Sequence, residues 1–215
     1  MNERSRGTGS SERATRDEHA QTEPHSRSGE RSGERPAVRA TSKRALILVD
    51  LVPALVSGPV PPAGVNEVVR YVQGELRYFR ERDRLVLFSV ADAFAEGGAR
   101  IVKELTPRAH EVVIARSKPS VFSSTELCER LASAGVKRVT LVGIGTAGAI
   151  AVSAAEALTR GYGVTVPDPC VCDFVVDDHQ AALHLIRDVW TPLFQPGTEG
   201  GEEVTAPGVA IPARS

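Results

Sequence analysis

The sequence predicts an α/β fold of three layers, in which helices cover both sides of a mostly parallel sheet. Short apolar segments alternate with longer amphipathic ones through residues 44–194. The first of them, Ala45-Leu-Ile-Leu-Val49, is a continuous apolar run, as expected for a strand that is covered on both faces. The segment 63–82 instead carries its valines, Leu76 and Phe79 at helical spacing.

The remaining elements follow the same alternation. Further strands are predicted at 85–90, 112–115, 136–142 and 163–166, and helices at 125–134, 149–160 and 177–190. Ligands of open parallel sheets bind outside the carboxyl ends of the strands. The segments expected to meet there are Asp50, the 91–97 loop, 116–120, 143–149 and 168–173.

The two ends of the chain differ in composition from this domain. Residues 1–44 contain no Leu, Ile, Phe, Tyr or Trp, and they hold ten Lys or Arg and seven Asp or Glu. Such a segment buries too little apolar surface to offset its chain entropy. Residues 1–43 are therefore predicted to be a disordered polar tail, and 44–194 the folded domain. Beyond Phe194, Pro and Gly recur without periodicity, so 195–215 is predicted to be a loose tail.

Composition also limits the partners and the compartment. The charge of the N-terminal tail, ten minus seven or +3, is mild and interleaved, which argues against nucleic-acid binding. No apolar run reaches the roughly 18 residues of a membrane span, and the tail lacks the apolar core of a signal peptide. The cysteines, Cys128, Cys170 and Cys172, are an odd and sparse set that is typical of a reducing compartment. A cytoplasmic protein is predicted.

Two features at the expected sheet edge are candidates for a catalytic or ligand-binding role. Asp50 ends the first strand, where a capping role and a site role are both open. Gly143-Ile-Gly145-Thr-Ala-Gly148 follows a strand and opens a helix, and Asp168 lies twenty residues beyond it, which matches a dinucleotide fingerprint. Several strand–helix units precede this segment, whereas a nicotinamide-binding fold begins with it. An anion seat is therefore favoured, and no cofactor is predicted.

Other polar groups near this edge have structural interpretations. Cys170 and Cys172 lack the further ligands that a tetrahedral metal site needs, so they are interpreted as structural thiols. His179 lies with Asp177 and Asp178 in the first turn of the last helix, where carboxylates meet the helix dipole favourably. His179 is interpreted as structural as well.

Four segments together resemble the isochorismatase-like hydrolases, the cysteine hydrolase family, over nearly all of 44–190. The segment 45–50 is similar to the family's opening strand with its catalytic aspartate, here Asp50. Arg116-Ser-Lys-Pro-Ser-Val-Phe122 resembles the segment that bears the catalytic lysine. The segments 142–157 and 168–179 resemble the stretch that bears the nucleophile and the final loop and helix. The resemblance implies a small-molecule substrate and a homo-oligomer.

The departures from the family's pattern bear on function. Ala149 stands where thiol members carry the nucleophilic cysteine, so a thioester route is not available there. True isochorismatases also lack that cysteine, and the resemblance then implies acid-catalysed hydrolysis of a vinyl ether by Asp50. Counting back from Ser120 and Phe122 puts the lysine position at Arg116, with Lys118 as the other candidate. An arginine remains charged, so it can only orient or neutralise a partner.

The other site residues follow from the same resemblance. Arg116, with or without Lys118, is expected to hold a substrate carboxylate. The amides of the 145–149 turn are expected to receive developing negative charge. The residues predicted to bind substrate are Gly145, Thr146, Gly148, Ser120 and Phe122. The metal-binding nicotinamidase branch places a histidine after the second strand, where this chain has Asp92-Ala-Phe94, so no metal is predicted.

The leading hypothesis is a hydrolase of a small carboxylated metabolite, a vinyl ether or a related compound, that uses Asp50 for proton transfer and no cysteine. The alternative is a catalytically inactive or repurposed homologue that keeps the pocket for small-molecule binding or assembly. The changed lysine and the missing cysteine would allow it. A dinucleotide-binding protein is the third hypothesis.

Overall fold

The protein is described by a computed structural model, which covers residues 44–95, 98 and 100–194. The tails predicted at 1–43 and 195–215 lie outside the described residues. The strands are β1 (Arg44–Val49), β2 (Leu85–Ala91), β3 (Val112–Arg116), β4 (Arg138–Ile144), β5 (Gly163–Thr165) and β6 (Val171–Cys172). The helices are α1 (Pro53–Val56), α2 (Val65–Arg80), α3 (Thr125–Ser133), α4 (Ala151–Thr159), α5 (Val176–His184) and α6 (Thr191–Phe194).

The strands form one parallel sheet in the order β3-β2-β1-β4-β5, and β6 also pairs with β4. β5 pairs with the first half of β4, through Arg138 and Gly163, whereas β6 pairs with its end, through Gly143 and Val171. β5 and β6 therefore lie one after the other along the same side of β4. This arrangement brings Cys172 and the loop after it to the carboxyl edge of the sheet.

Two apolar cores cover the two faces of the sheet. Ala45, Ile47 and Val49 of β1 pack into one core with α3, α4 and α5. Leu46 and Leu48 alternate with them and pack into the other core with α2. Because both faces of β1 are buried, its sequence is a continuous apolar run rather than an alternation. The predicted three-layer α/β fold is confirmed.

Close packing between β1 and β4 depends on a glycine. A Cβ at Gly143 would lie 2.0 Å from the Val49 carbonyl oxygen, and the φ of this residue is +131°. Only glycine adopts such a backbone without strain and lets the neighbouring strand approach this closely. Gly143 therefore fixes the end of β4 against the end of β1, immediately before Asp50.

Two predicted helices are divided in the structure. The helix predicted at 149–160 begins with a π-turn at Thr146–Ile150, and α4 follows without a break. The helix predicted at 177–190 consists of α5, a π-turn at Leu185–Trp190 and the short α6. The two residues of β6 lie in the segment that the sequence analysis assigned to a loop. A strand of that length has no detectable periodicity.

None of the helices within the described ranges has both the length and the apolar character that crossing a membrane requires.

Candidate functional site

Asp50 lies directly after β1 in an unusual backbone conformation. Its φ is +54°, a region that few residues other than glycine adopt and that aspartate tolerates better than most. Its amide donates to the Ser89 carbonyl (3.0 Å), and its own carbonyl accepts from the Val52 amide (2.9 Å). Left-handed backbone at non-glycine residues stores strain and clusters at functional sites.

The Asp50 carboxylate forms a buried, two-pronged ion pair with Arg116. Nη1 of Arg116 donates to Oδ1 of Asp50 at 2.9 Å, and Nη2 donates to Oδ2 at 2.5 Å. The two side chains are only 9% (Asp50) and 2% (Arg116) exposed. Oδ1 also accepts from the Ala91 amide at 2.8 Å, and Nε of Arg116 donates to the Pro119 carbonyl at 3.1 Å. Both charged groups are therefore held in one orientation.

This ion pair lies on the face of the sheet that α4 covers. Nη1 of Arg116 is 3.4 Å from the Ser89 hydroxyl. Ser89 and Arg116 each follow by two positions a residue of the core shared with α4, namely Leu87 and Ile114. Because side chains two apart on a strand share a face, the Asp50 carboxylate and the start of α4 lie on the same side of the sheet.

Arg116, and not Lys118, is the cation beside Asp50. Lys118 is exposed, and its charge acts on Glu156 of α4. Burial raises the pKa of Glu156, but hydrogen bonds from Ser120 and Arg160, and the charges of Arg160 and Lys118, outweigh it and hold that pKa below its ordinary value. Of the two candidates that the sequence left open for the lysine position, Arg116 is the one that contacts Asp50, and its assignment to that position stays a prediction.

Ser120 and Phe122 are both buried in the loop after β3. The Phe122 ring stacks on Tyr162 with centroids 5.7 Å apart, within the core shared with α4. The Ser120 hydroxyl accepts from the Phe122 amide at 3.2 Å and hydrogen-bonds with Glu156. The side chains of both residues make contacts inside the protein, and a substrate contact by either of them stays a prediction.

The segment that precedes α4 is a wide turn, and several of its backbone amides already donate hydrogen bonds within the protein. The amides of Gly148 and Ile150 both donate to the Gly145 carbonyl, at 3.1 and 3.0 Å. The Gly145 amide donates to the Cys172 carbonyl at 2.9 Å, and Gly145 has a φ of +89°. Turns of the π type recur at functional sites because they displace backbone groups from regular helical bonding.

A carboxylate from the loop after β6 occupies a further amide of this turn. Oδ2 of Asp173 accepts from the Ala147 amide at 2.7 Å, and its Oδ1 accepts from the Phe174 amide at 2.8 Å. Asp173 therefore occupies one amide of the turn where the sequence analysis expected an anion seat, and that seat stays a prediction. The sequence analysis missed this role of Asp173.

His179 of α5 contacts the turn at Thr146–Ile150 through the side chain of Thr146. Its Nδ1 lies 2.9 Å from the hydroxyl of Thr146, which is fully buried. Its Nε2 lies 3.8 Å from Oδ1 of Asp168, whose other oxygen is 3.8 Å from Nη1 of Arg187. These contacts tie α5 to the turn and agree with the structural interpretation of His179.

Burial disfavours the thiolate form of the three cysteines in the described residues. Cys128, Cys170 and Cys172 are all free. Burial raises the pKa of each of them, to about 12 for Cys172 and higher still for Cys170. Within the described ranges, no group of three or more His, Cys, Asp or Glu side chains is arranged so that it could hold a metal ion. Ala149, partly buried against the α4 core, presents a methyl group.

The site thus combines an oriented carboxylate, an arginine that binds it and a helix start on one face of a three-layer sheet. The isochorismatase domain model matches residues 44–195. The chain belongs to the isochorismatase family.

Relatives include the maleamate amidohydrolase of Pseudomonas putida, which is 30% identical over 165 residues, covering 66% of this chain and 78% of that protein. A secreted isochorismatase effector of Verticillium dahliae is 26% identical over 146 residues, covering 64% and 77%. The N-carbamoylsarcosine amidase of Thermoplasma acidophilum superposes with a TM-score of 0.60 at 21% identity, covering 67% of this chain and 92% of its own. At that identity the superposition supports the fold alone.

Proposed function

We propose that this chain hydrolyses the amide or a related acyl bond of a small carboxylated metabolite by direct attack of water, with Asp50 as the general base. The observation that carries the proposal is the state of the Asp50 carboxylate. It is buried, held by Arg116 through two hydrogen bonds, and on the sheet face where α4 begins. A carboxylate that is oriented in advance is suited to accept a proton.

Asp50 retains one acceptor position for the water that it would activate. A carboxylate has about four acceptor positions, and hydrogen bonds from Arg116 and Ala91 use three of them. A water molecule donating to Oδ2 would lose its proton to Asp50 while its oxygen bonds to the acyl carbon. The carbon–nitrogen bond then breaks, and the leaving nitrogen takes up that proton. The amides of Thr146 and Ala149 are the donors for the transient oxyanion.

The ion pair favours acyl hydrolysis over the vinyl-ether chemistry that the sequence suggested. Hydrolysis of a vinyl ether begins with protonation of carbon, which requires a protonated carboxyl group. A bidentate arginine stabilises the ionised form instead. The similarity to a maleamate amidohydrolase supports a small amide acid as the substrate class. Ala149 removes the thioester route, so water itself must be the nucleophile.

The alternative function, a repurposed homologue that binds a small molecule without converting it, is favoured by the same ion pair. Arg116 engages both oxygens of Asp50, and such a closed ion pair can serve to shape a binding site. Both functions predict binding of the same small molecules, but only the hydrolase converts them into products.

The test is a substrate panel of maleamate, other short dicarboxylic monoamides and isochorismate, with and without iodoacetamide. The proposal predicts ammonia release from an amide acid that iodoacetamide does not inhibit. Turnover of isochorismate alone would assign Asp50 an acid role and overturn it. Thermal stabilisation by a panel compound without any product supports the binding homologue instead.

A further inference from the structure

A buried serine joins two walls of the candidate site, the Arg116–Val121 loop and the 146–150 turn. The Ser153 side chain is fully buried in α4. Its hydroxyl accepts from the Val121 amide at 3.0 Å and donates to the Ala149 carbonyl at 2.6 Å. Because the proton and a lone pair are both used, the position of this hydroxyl is fixed relative to both walls.

Each end of this bridge reaches a residue of the proposed chemistry. Val121 belongs to the loop whose Pro119 carbonyl accepts from Nε of Arg116. Arg116 in turn orients the Asp50 carboxylate. At the other end, the Ala149 carbonyl belongs to the residue whose amide is one of the two proposed oxyanion donors. A connected path therefore runs from Asp50 to the start of α4.

The helix itself does not need this hydroxyl. A serine that bonds to the carbonyl four residues earlier is neutral to slightly unfavourable for a helix, and the neighbouring buried positions of α4, Ala154 and Ala157, carry methyl groups. A buried hydroxyl also has a desolvation cost that only satisfied hydrogen bonds offset. Its two contacts are what distinguish serine from alanine at this position.

We propose that Ser153 is a positioning residue that sets the separation between the Asp50 carboxylate and the amides at the start of α4. It does so by fixing Ala149 relative to the loop that holds Arg116. Its effect on turnover rests on the function proposed above, whereas its effect on the geometry at position 149 does not.

The activity test compares Ser153→Ala with two other variants. Ser153→Thr keeps the hydroxyl, and its thermal midpoint reports whether the added methyl is accommodated. Thr159→Ala is the matched control, since Thr159 also donates to a carbonyl four residues earlier in α4 (2.9 Å to Ala155) but is exposed. Ser153→Ala should lower kcat on the order of 10- to 100-fold with a smaller change in KM. Ser153→Thr should recover most of this loss, and Thr159→Ala should leave kcat unchanged.

A second measurement does not require turnover. A thiol introduced by Ala149→Cys can be alkylated with iodoacetamide and followed by peptide mass mapping, apart from the native cysteines. Adding Ser153→Ala should slow alkylation at position 149 about tenfold near neutral pH, because the thiolate loses its fixed orientation relative to Arg116. Adding Thr159→Ala should not change the rate. An equal or faster alkylation rate with Ser153→Ala overturns the proposal even if no substrate is found. If a substrate is found, activity of Ser153→Ala equal to that of Thr159→Ala overturns it as well.

Discussion

Removing one partner of the ion pair between Asp50 and Arg116 should cost more stability than removing one partner of an exposed pair. Removing one partner of a buried pair leaves an uncompensated charge and costs about 3–5 kcal/mol. Arg116→Gln removes both hydrogen bonds to Asp50, whose side chain is 9% exposed, so a loss in this range is expected. Arg70→Gln is the control, because Arg70 and Glu67 form an exposed pair that contributes about 0–1 kcal/mol.

A double-mutant cycle in urea, followed by circular dichroism at pH 7, measures the coupling. Asp50→Asn suits the cycle because asparagine tolerates the left-handed backbone at this position. Each single variant should lose about 3 kcal/mol in free energy of unfolding, and the double variant should lose about 2–3 kcal/mol less than their sum. Additive losses, or a loss for Arg116→Gln no larger than that for Arg70→Gln, would refute the reasoning.

Two further predictions concern packing and pH. Gly143→Ala should prevent folding or cost more than about 3 kcal/mol, because the new Cβ would lie 2.0 Å from the Val49 carbonyl oxygen at a φ of +131°. Gly148→Ala, where a Cβ meets nothing within 4 Å, is its control in the same urea titration, and equal losses for the two would contradict the packing argument. Burial raises the pKa of Glu111, but hydrogen bonds from Arg80 and the Arg108 amide, and the charges of Arg80 and His110, hold it below the ordinary value. A lowered carboxyl pKa contributes stability that is present above the unfolded value, about 4.3, and is lost as pH falls through the folded value. The stability difference between wild type and Glu111→Gln should therefore shrink as pH falls from about 5 to about 3, and a constant difference would contradict this role of Glu111.

The fold could be predicted from the sequence because its signals are local. The apolar run of β1 and the helical spacing of valines in α2 each indicate one element, and their alternation indicates a parallel sheet. The π-turn at 146–150 could not be predicted in this way. It depends on the Gly145 carbonyl accepting two amides and on Asp173, which is 26 residues away from the amide that it binds.

The candidate site was predictable in part. The position of Asp50 at the end of β1 followed from the strand pattern, but the choice between Arg116 and Lys118 depended on the path of the loop after β3. Tertiary contacts, such as the bond from the Val121 amide to Ser153, hold that loop, and residue spacing alone does not encode them. The spacing of four residues between Ala149 and Ser153 in a predicted helix is compatible with the hydrogen bond from the Ser153 hydroxyl to the Ala149 carbonyl. The sequence did not indicate the second contact, with the Val121 amide.

The most direct test of the account is the rate of ammonia release from an amide acid by wild type and Asp50→Asn, measured side by side below both unfolding midpoints. A positioned general base contributes about 10²–10⁴-fold to a rate. The account predicts a loss of that size in Asp50→Asn, with the circular dichroism spectrum unchanged. A variant that releases ammonia as fast as wild type would contradict it.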